Sequence, residues 1–352
     1  EWIFPPDPSM RIITDMIQYC TEYLPYYNTI SISGYHIREA GSTAAQELAF
    51  TLADGFTYVD YAIMSGMNVD DFAPRLSFFF NSHLDFFEEI AKYRAARRIW
   101  ARKMKIKYNA KNPKSLKLRF HTQTAGCSLT AQQPEINIAR TGFQAMAAVL
   151  GGTQSLHTNS MDETLALPTE KSAQIALRTQ QLIAYETGLA NVVDPLGGSW
   201  YIEALTDTLE EKAEKYFKKI EALGGVITAI EDGYFQREIA KAASEYQHKV
   251  DTNERIIVGV NDFVNEDEEI DIPILTISDE TQKKQSEHLK KIRQERDDEK
   301  FQESMKNITK TCKNGDNLIS PLIEAAKSLA TLGEMVKAMK SVFGEWQERS
   351  IF

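Results

Sequence analysis

Three short runs hold most of the side chains that could do chemistry: Gly34-Tyr35-His36-Ile37-Arg38-Glu39-Ala40-Gly41, Arg119-Phe120-His121-Thr122-Gln123-Thr124-Ala125-Gly126 and Leu156-His157-Thr158-Asn159-Ser160-Met161-Asp162-Glu163. The first two follow apolar stretches and precede helical ones, and the third closes another such stretch. The chain has six histidines and three of them fall in these runs, the clustering expected of a polar active-site rim. An imidazole at His36 can donate a hydrogen bond to a carbonyl oxygen and stabilise charge that develops there. Tyr35 beside it is a planar group able to fill or vacate a pocket. From spacing alone, a core histidine satisfied beside a packing tyrosine fits equally well. Arg75, Ser77 and Phe79 alternate on one strand face. The guanidinium suits phosphate or carboxylate, the hydroxyl a carbonyl or amide, and the ring an adenine or pantetheine; an exposed strand start is the ordinary alternative. Arg119, His121 and Gln123 alternate in the same way, and Asn159 and Glu163 lie four apart where the chain turns towards a helix, so they can share a face. His36, His121, His157 and Glu163 are zinc ligands by type, but no HExxH or His-x-His pattern joins them and no metal site is expected. The sequence also contains no GxxxxGK[ST] or GxGxxG phosphate loop.

These runs must be positioned by elements that the hydrophobic period outlines. Apolar residues recur at helical spacing over 8–23, 42–64, 85–108, 136–150 and 172–187, and short alternating segments over 29–34, 75–80, 116–121 and 152–157 read as strands. Strands alternating with helices predict a parallel sheet with crossover helices. Four such units make half of an eight-stranded barrel and leave two open edges, so the missing strands are expected upstream or on a partner chain. The fold class is therefore α/β: about four βα units forming the C-terminal half of a TIM barrel, followed by a mainly helical region. Residues 1–190 read as the partial barrel. Residues 191–278 read as a hinge through Asp194-Pro195-Leu196-Gly197-Gly198-Ser199-Trp200, helices over 202–223 and 234–250, and a short strand over 255–260. Residues 279–352 read as C-terminal helices, charged over 281–306 and amphipathic over 317–340.

Composition narrows the function. The chain has 352 residues, 43% of them hydrophobic, enough for a sizeable core, and a formal net charge of −10 that argues against a general affinity for nucleic acid. Cys20, Cys127 and Cys312 are widely spaced with no CxxC pair, so a disulfide framework is not indicated and a reducing compartment such as the cytoplasm fits. No apolar run approaches the roughly 20 residues needed to cross a bilayer, so no membrane association is expected. The opening Glu1-Trp2-Ile3-Phe4-Pro5-Pro6 lacks the regions of a signal peptide. A start without methionine is that expected of a piece of something longer.

Several long motifs in one order carry a resemblance. Ser31-Ile32-Ser33-Gly34-Tyr35-His36-Ile37-Arg38-Glu39-Ala40-Gly41, Arg75-Leu76-Ser77-Phe78-Phe79, Arg119-Phe120-His121-Thr122-Gln123-Thr124-Ala125-Gly126 and Gly151-Gly152-Thr153-Gln154-Ser155-Leu156-His157-Thr158-Asn159 resemble the large catalytic subunit of the methylmalonyl-CoA mutase family. The likeness continues through Asp194-Pro195-Leu196-Gly197-Gly198-Ser199 and Gly224-Gly225 to Gly259-Val260-Asn261. It implies a barrel threaded by the pantetheine arm of coenzyme A and capped by adenosylcobalamin, and a radical isomerase that interconverts methylmalonyl-CoA and succinyl-CoA in propionate metabolism. By the resemblance His36 would bond the substrate thioester carbonyl and Tyr35 would pack beside the adenosyl group. Arg75, Ser77 and Phe79 would bind the coenzyme A portion. Glu39, His121, Gln123, Gly126, Asn159, Glu163 and Ala166 would face the cofactor. The family's carboxylate-binding arginine would lie before residue 1, so an isobutyryl-CoA or hydroxyacyl-CoA mutase is the alternative substrate reading. The cobalt-ligand motif DxHxxG does not occur in the sequence, which implies a cobalamin-binding small subunit or domain as partner, with a G-protein chaperone of the family. A truncated, inactive scaffold is the alternative of another class.

Overall fold

Four parallel strands form one sheet in the order β1-β2-β3-β4, with β1 at Ser31–Ser33, β2 at Ser77–Ser82, β3 at Phe120–Thr124 and β4 at Ser155–His157. The computed structural model describes residues 3–267 and 272–348. Ser33 pairs with Phe79, Phe79 with His121 and His121 with Ser155; one row higher, Asn81 pairs with Gln123 and Gln123 with His157. Because strand order follows chain order, right-handed crossovers place every connecting helix on the same side of the sheet. After α1 (Pro6–Tyr23) and the short α2 (Tyr35–Glu39), that layer comprises α3 (Ala44–Met64), the single-turn α4 (Val69–Phe72), α5 (Phe86–Ile106) and α6 (Ile136–Leu150), followed by α7 (Glu170–Tyr185).

The strand residues divide accordingly. Phe78, Phe80 and Phe120 point into the helical layer and are buried. There Phe78 meets Trp100 edge-on at 4.9 Å and Phe120 stacks with Tyr93 at 5.0 Å. Ser77, Phe79, His121 and Gln123 lie on the opposite face and stay partly exposed. One face buried in helices and the other lined with polar groups differs from a doubly wound sheet, which is covered on both sides.

Helix starts are locally encoded. Thr43 and Gln46 form a reciprocal capping box for α3, and Asp85 and Thr169 accept from the first-turn amides of α5 and α7. Gly34 ends β1 where its backbone touches α3: a Cβ there would lie 2.0 Å from Thr51 Oγ1.

Beyond residue 191, α8 (Trp200–Ala222), α9 (Val226–Glu231) and α10 (Tyr234–Asp251) follow. Leu209, Ala213, Ile220, Ala229 and Tyr234 belong to the same core as Phe78 and Trp100. Of the last helices, α11 (Asp279–Glu295) buries no side chain, while α12 (Asp298–Asn314), α13 (Ile319–Lys327) and α14 (Leu332–Phe343) bury a second cluster of Ile308, Cys312, Leu318, Ala325 and Met339, packed against Phe4 and Ile12 near the amino-terminal end.

The structure corrects several expectations. The run at 34–41 leaves the sheet at once and forms α2, so His36 stands on a helical turn and not on a strand end. Strand β2 begins two residues late because Pro74 sits in a 3-10 turn, Ala73–Arg75, and β3 begins at Phe120 rather than at 116. The strand expected over 255–260 is reduced to one bridge between Val258 and Asp262. Asn261 coils that segment by accepting from Ile257 N at 2.7 Å and donating to Val250 O and Arg255 O, both at 2.8 Å. The charged helix over 281–306 divides at Arg296, where Asp297 caps α12. The helix over 317–340 divides where Leu329 takes φ 62° and Thr331 and Glu334 form a second capping box.

Candidate active site

The bare face of the sheet carries the site. At the carboxyl end, Gln123 Nε2 donates to Tyr35 Oη and to Asn159 Oδ1, both at 2.9 Å. Asn159 is itself held by Thr124, whose hydroxyl accepts the Asn159 backbone N–H and whose carbonyl accepts its side-chain amide, each at 2.9 Å. Glu39 Oε1 accepts from Asn81 Nδ2 at 2.6 Å and from Gly126 N at 2.8 Å, while Oε2 accepts from Cys127 N at 2.7 Å. A Cβ at Gly126 would come within 3.1 Å of Asn159 Nδ2 and 3.2 Å of Glu39 Oε2, so the glycine keeps these groups in reach of one another. Tyr35, Glu39, Gln123, Gly126 and Asn159 therefore form one connected set, drawn from α2 and from the exits of β3 and β4.

One row lower the wall is aromatic. Tyr35 stacks on Phe79 with centroids 4.9 Å apart, and Phe79 meets His121 edge-on at 4.9 Å. His121 Nδ1 lies 2.7 Å from Ser155 Oγ. Burial and the nearby His157 hold the His121 ring towards its neutral form. Burial is also the main reason that the Tyr35 phenol and the Glu39 and Glu163 carboxyls sit above their ordinary ranges; Cys127, Asn81 and Gly126 partly offset it at Glu39 through hydrogen bonds to the charged form. His36 is exposed beside this set.

Other expected site residues lie apart. Arg75 stands at the amino end of β2 with its guanidinium 5.4 Å from the Tyr26 ring centroid, and Ser77 Oγ donates to Ile30 O at 3.1 Å. Four strand residues, about 13 Å, separate Ser77 from the level of Asn81. Glu163 and Ala166 follow β4 in a series of turns: Glu163 N donates to Ser160 O at 3.2 Å and Ala166 N to Asp162 O at 3.1 Å. Helix α7 begins only at Glu170, so the helical face expected to join Asn159 to Glu163 does not exist. The histidines and Glu163 do not converge either: among the described residues, no group of three or more His, Cys, Asp or Glu side chains could hold a metal ion.

Beneath the site lies a charged cluster that no motif announces. Lys92, fully buried, reaches Glu47 Oε2 at 2.5 Å and Asn81 O at 2.8 Å, and it also contacts Glu89. Arg38 of α2 joins at 3.7 Å from Glu89 and 4.0 Å from Glu47. Asn81 N donates to Glu47 Oε1 at 2.7 Å, and Tyr93 Oη donates to Asn81 O at 2.6 Å. The signal available in the sequence was Glu47 within the apolar stretch Ala44-Ala45-Gln46-Glu47-Leu48-Ala49 and Lys92 between Ala91 and Tyr93.

His83 at the end of β2 is buried, and its Nδ1 accepts Leu84 N at 2.8 Å, a role open to an unprotonated nitrogen. Burial, reinforced by Arg38, Arg255 and Lys92 against the opposing Glu89, lowers its pKa to about 3. Below about pH 6.5 the unfolded chain then binds a proton that the folded chain refuses, so stability falls as pH falls from there towards about 3. The expected slope from this residue is up to about 1.4 kcal/mol per pH unit. Urea unfolding of the wild type and of His83→Gln at pH 7 and pH 5 checks it: the variant should lose less stability over that interval.

A polar rim over an aromatic floor thus lies on the one face of the parallel sheet that its helices leave open, and this is the candidate site. Residues 1–345 match methylmalonyl-CoA mutase, and the chain belongs to that family. It is 47% identical over 353 residues to the 2-hydroxyisobutanoyl-CoA mutase large subunit of Aquincola tertiaricarbonis, covering 100% of this chain and 63% of that protein. It is 49% identical over 347 residues to the methylmalonyl-CoA mutase of Rhizobium meliloti (strain 1021), covering 98% and 48%, and 45% identical over 346 residues to the mitochondrial methylmalonyl-CoA mutase of Homo sapiens, covering 98% and 46%. The chain thus spans from under half to 63% of the length of these curated relatives. Among the described residues, no helix is long and apolar enough to cross a membrane.

Proposed function

We propose that this chain is the substrate-binding part of an adenosylcobalamin-dependent acyl-CoA mutase, acting on methylmalonyl-CoA, and that its four strands are half of a TIM barrel whose open face is the inside. The observation that carries the reading is the order of groups along that face: Arg75 and Ser77 at the amino end, Phe79 and His121 in the middle, and Tyr35, Glu39, Gln123 and Asn159 at the carboxyl end. An extended thioester could lie along this row with its charged end near Arg75.

The polar groups at the carboxyl end fit a nucleoside-bearing cofactor. Carboxylate and amide groups suit ribose hydroxyls, and Asn81 adds a buried Oδ1 with no partner of its own. Glu39, His121, Gln123, Gly126, Asn159, Glu163 and Ala166 would hold it. Adenosylcobalamin, when bound, supplies the radical chemistry that removes a substrate hydrogen and returns it. The chain's own residues bind and orient: His36, exposed beside the rim, donates to the thioester carbonyl as charge develops on it. Tyr35, fixed by Gln123 and Phe79, gives the reacting group a flat wall and keeps water from it. A cobalamin-binding subunit or domain would be the partner, as the phrase "large subunit" in the Aquincola protein's name suggests, together with a G-protein chaperone. The three free cysteines suit a reducing compartment such as the cytoplasm.

The 47% identity to a 2-hydroxyisobutanoyl-CoA mutase supports a second substrate. Both are tested by incubating the full-length protein and a cobalamin-binding partner with adenosylcobalamin and either thioester, then separating the products by chromatography. Turnover of 2-hydroxyisobutyryl-CoA alone would replace the substrate assignment, and turnover of no acyl-CoA would favour a scaffold. In the active protein, Arg75→Ala should raise KM for the thioester about tenfold or more with kcat little changed, the pattern of lost uniform binding through a charged hydrogen bond.

A further inference from the structure

We propose that Asn81 is a positioning residue: its side-chain amide holds the Glu39 carboxylate against the amides of Gly126 and Cys127, and so fixes the exit of β3 that walls the site. This deepens the proposed function and rests on it for the catalytic consequence alone. Asn81 is fully buried, and both of its backbone groups are gripped from the helical layer, the N–H by Glu47 and the carbonyl by Lys92 and Tyr93. It cannot slide along the sheet without breaking three hydrogen bonds, one of them to a buried ammonium. Its side chain emerges on the opposite face with Nδ2 2.6 Å from Glu39 Oε1. The orientation of that amide follows from charge, since an oxygen in the same place would face a carboxylate. Oδ1 is consequently left buried and unpaired, a cost tolerated where a group is needed for something besides stability.

From Glu39 the chain of contacts reaches two consecutive backbone amides, Gly126 N at 2.8 Å and Cys127 N at 2.7 Å, just where the chain leaves β3. Neither amide is part of the sheet ladder, so the carboxylate supplies the order that a neighbouring strand gives elsewhere. Gly126 in turn lies against Asn159 Nδ2, a member of the Gln123 set. Displacing Glu39 would therefore loosen the wall on which Tyr35, Gln123 and Asn159 converge. Tyr35 and Cys127 are the other ionisable groups that face Glu39, and both share hydrogen bonds with it.

The experiment compares wild type, Asn81→Leu, which keeps the branched shape and removes the donor, and Asn81→Ser, which keeps a smaller donor and reads the same amides if the leucine variant does not fold. Hydrogen exchange in the full-length protein should accelerate at Gly126 and Cys127 by about tenfold or more in Asn81→Leu and by less in Asn81→Ser, with Phe120–Thr124 protected as before. With adenosylcobalamin, the cobalamin-binding partner and methylmalonyl-CoA, kcat of Asn81→Leu should fall about tenfold or more while KM stays within about threefold. Unchanged exchange at the two amides, or equal acceleration throughout β2 and β3, overturns the proposal. A wild type that protects these amides and turns over no acyl-CoA would overturn the proposed function and leave the clamp standing.

Discussion

Replacing His36 with alanine in the complete, cofactor-loaded protein should lower kcat by about 10²-fold or more, the usual scale for removing a donor aimed at developing charge. Cobalamin binding, followed by its absorbance, should change little. His36 is exposed on α2 beside Tyr35, and the bonds that join Tyr35 and Asn159 to Gln123 are made by the Gln123 amide, so His36→Ala removes neither of their partners. His36→Gln, which keeps an N–H donor of similar reach, should recover part of the rate. Equal losses of rate and cobalamin affinity in His36→Ala would show instead that the imidazole holds the cofactor. An unchanged rate would return His36 to the ordinary surface.

Replacing Lys92 with methionine should destabilise the fold by about 3–5 kcal/mol, because it leaves buried carboxylates without their counter-charge. Glu47 and Glu89 both contact this ammonium and both are fully buried. Arg38 stands farther from each and is the only other cation paired with them among the described residues. Burial already drives the Glu47 pKa up to about 7 despite Lys92. With the ammonium gone it should rise further, so Lys92→Met should be least destabilised at low pH, where Glu47 can take up a proton. Urea unfolding at pH 5 and pH 8 measures this. Adding Glu47→Gln should recover part of the loss, the coupling expected of groups in one network. A loss of under about 1 kcal/mol at both pH values would mean that the cluster is hydrated and not a buried ion set.

The periodic signals of the sequence outlined the sheet well. Alternation in Arg75-Leu76-Ser77-Phe78-Phe79 and in Arg119-Phe120-His121-Thr122-Gln123 separated the two faces, because a half-buried strand has a period of two whatever its neighbours do. Places where a side chain overrules the local pattern were harder to read. Asn261 coils a segment whose Val and Ile content suggests a strand, and Asp297 and Thr331 start helices inside stretches that read as continuous. The candidate site was legible where the residues that meet there sit in recognisable runs, as with Tyr35, Glu39, Gln123 and Asn159. Its support was not. Asn81, Glu47, Glu89 and Lys92 come from β2, α3 and α5, and their meeting depends on tertiary contacts up to 45 residues apart in sequence.

The end of β1 has a consequence of its own. β1 stops at Ser33 while β2 runs on to Ser82, and residues 77, 79 and 81 of β2 all present their backbone groups towards β1. Opposite residue 81, where the next peptide of β1 would stand, a glutamate accepts the N–H while a lysine and a tyrosine donate to the carbonyl. Together these side chains do the work of a missing peptide, with the difference that no chain has to run through them. That releases the polypeptide after Gly34 to leave the sheet and present Tyr35, His36 and Glu39 from a helical turn. The segment proposed to face the ligand and the sheet beneath it thus answer to separate constraints. The first can be reshaped for a different ligand, while the second is locked from the outer layer by charges that cannot be exchanged one at a time.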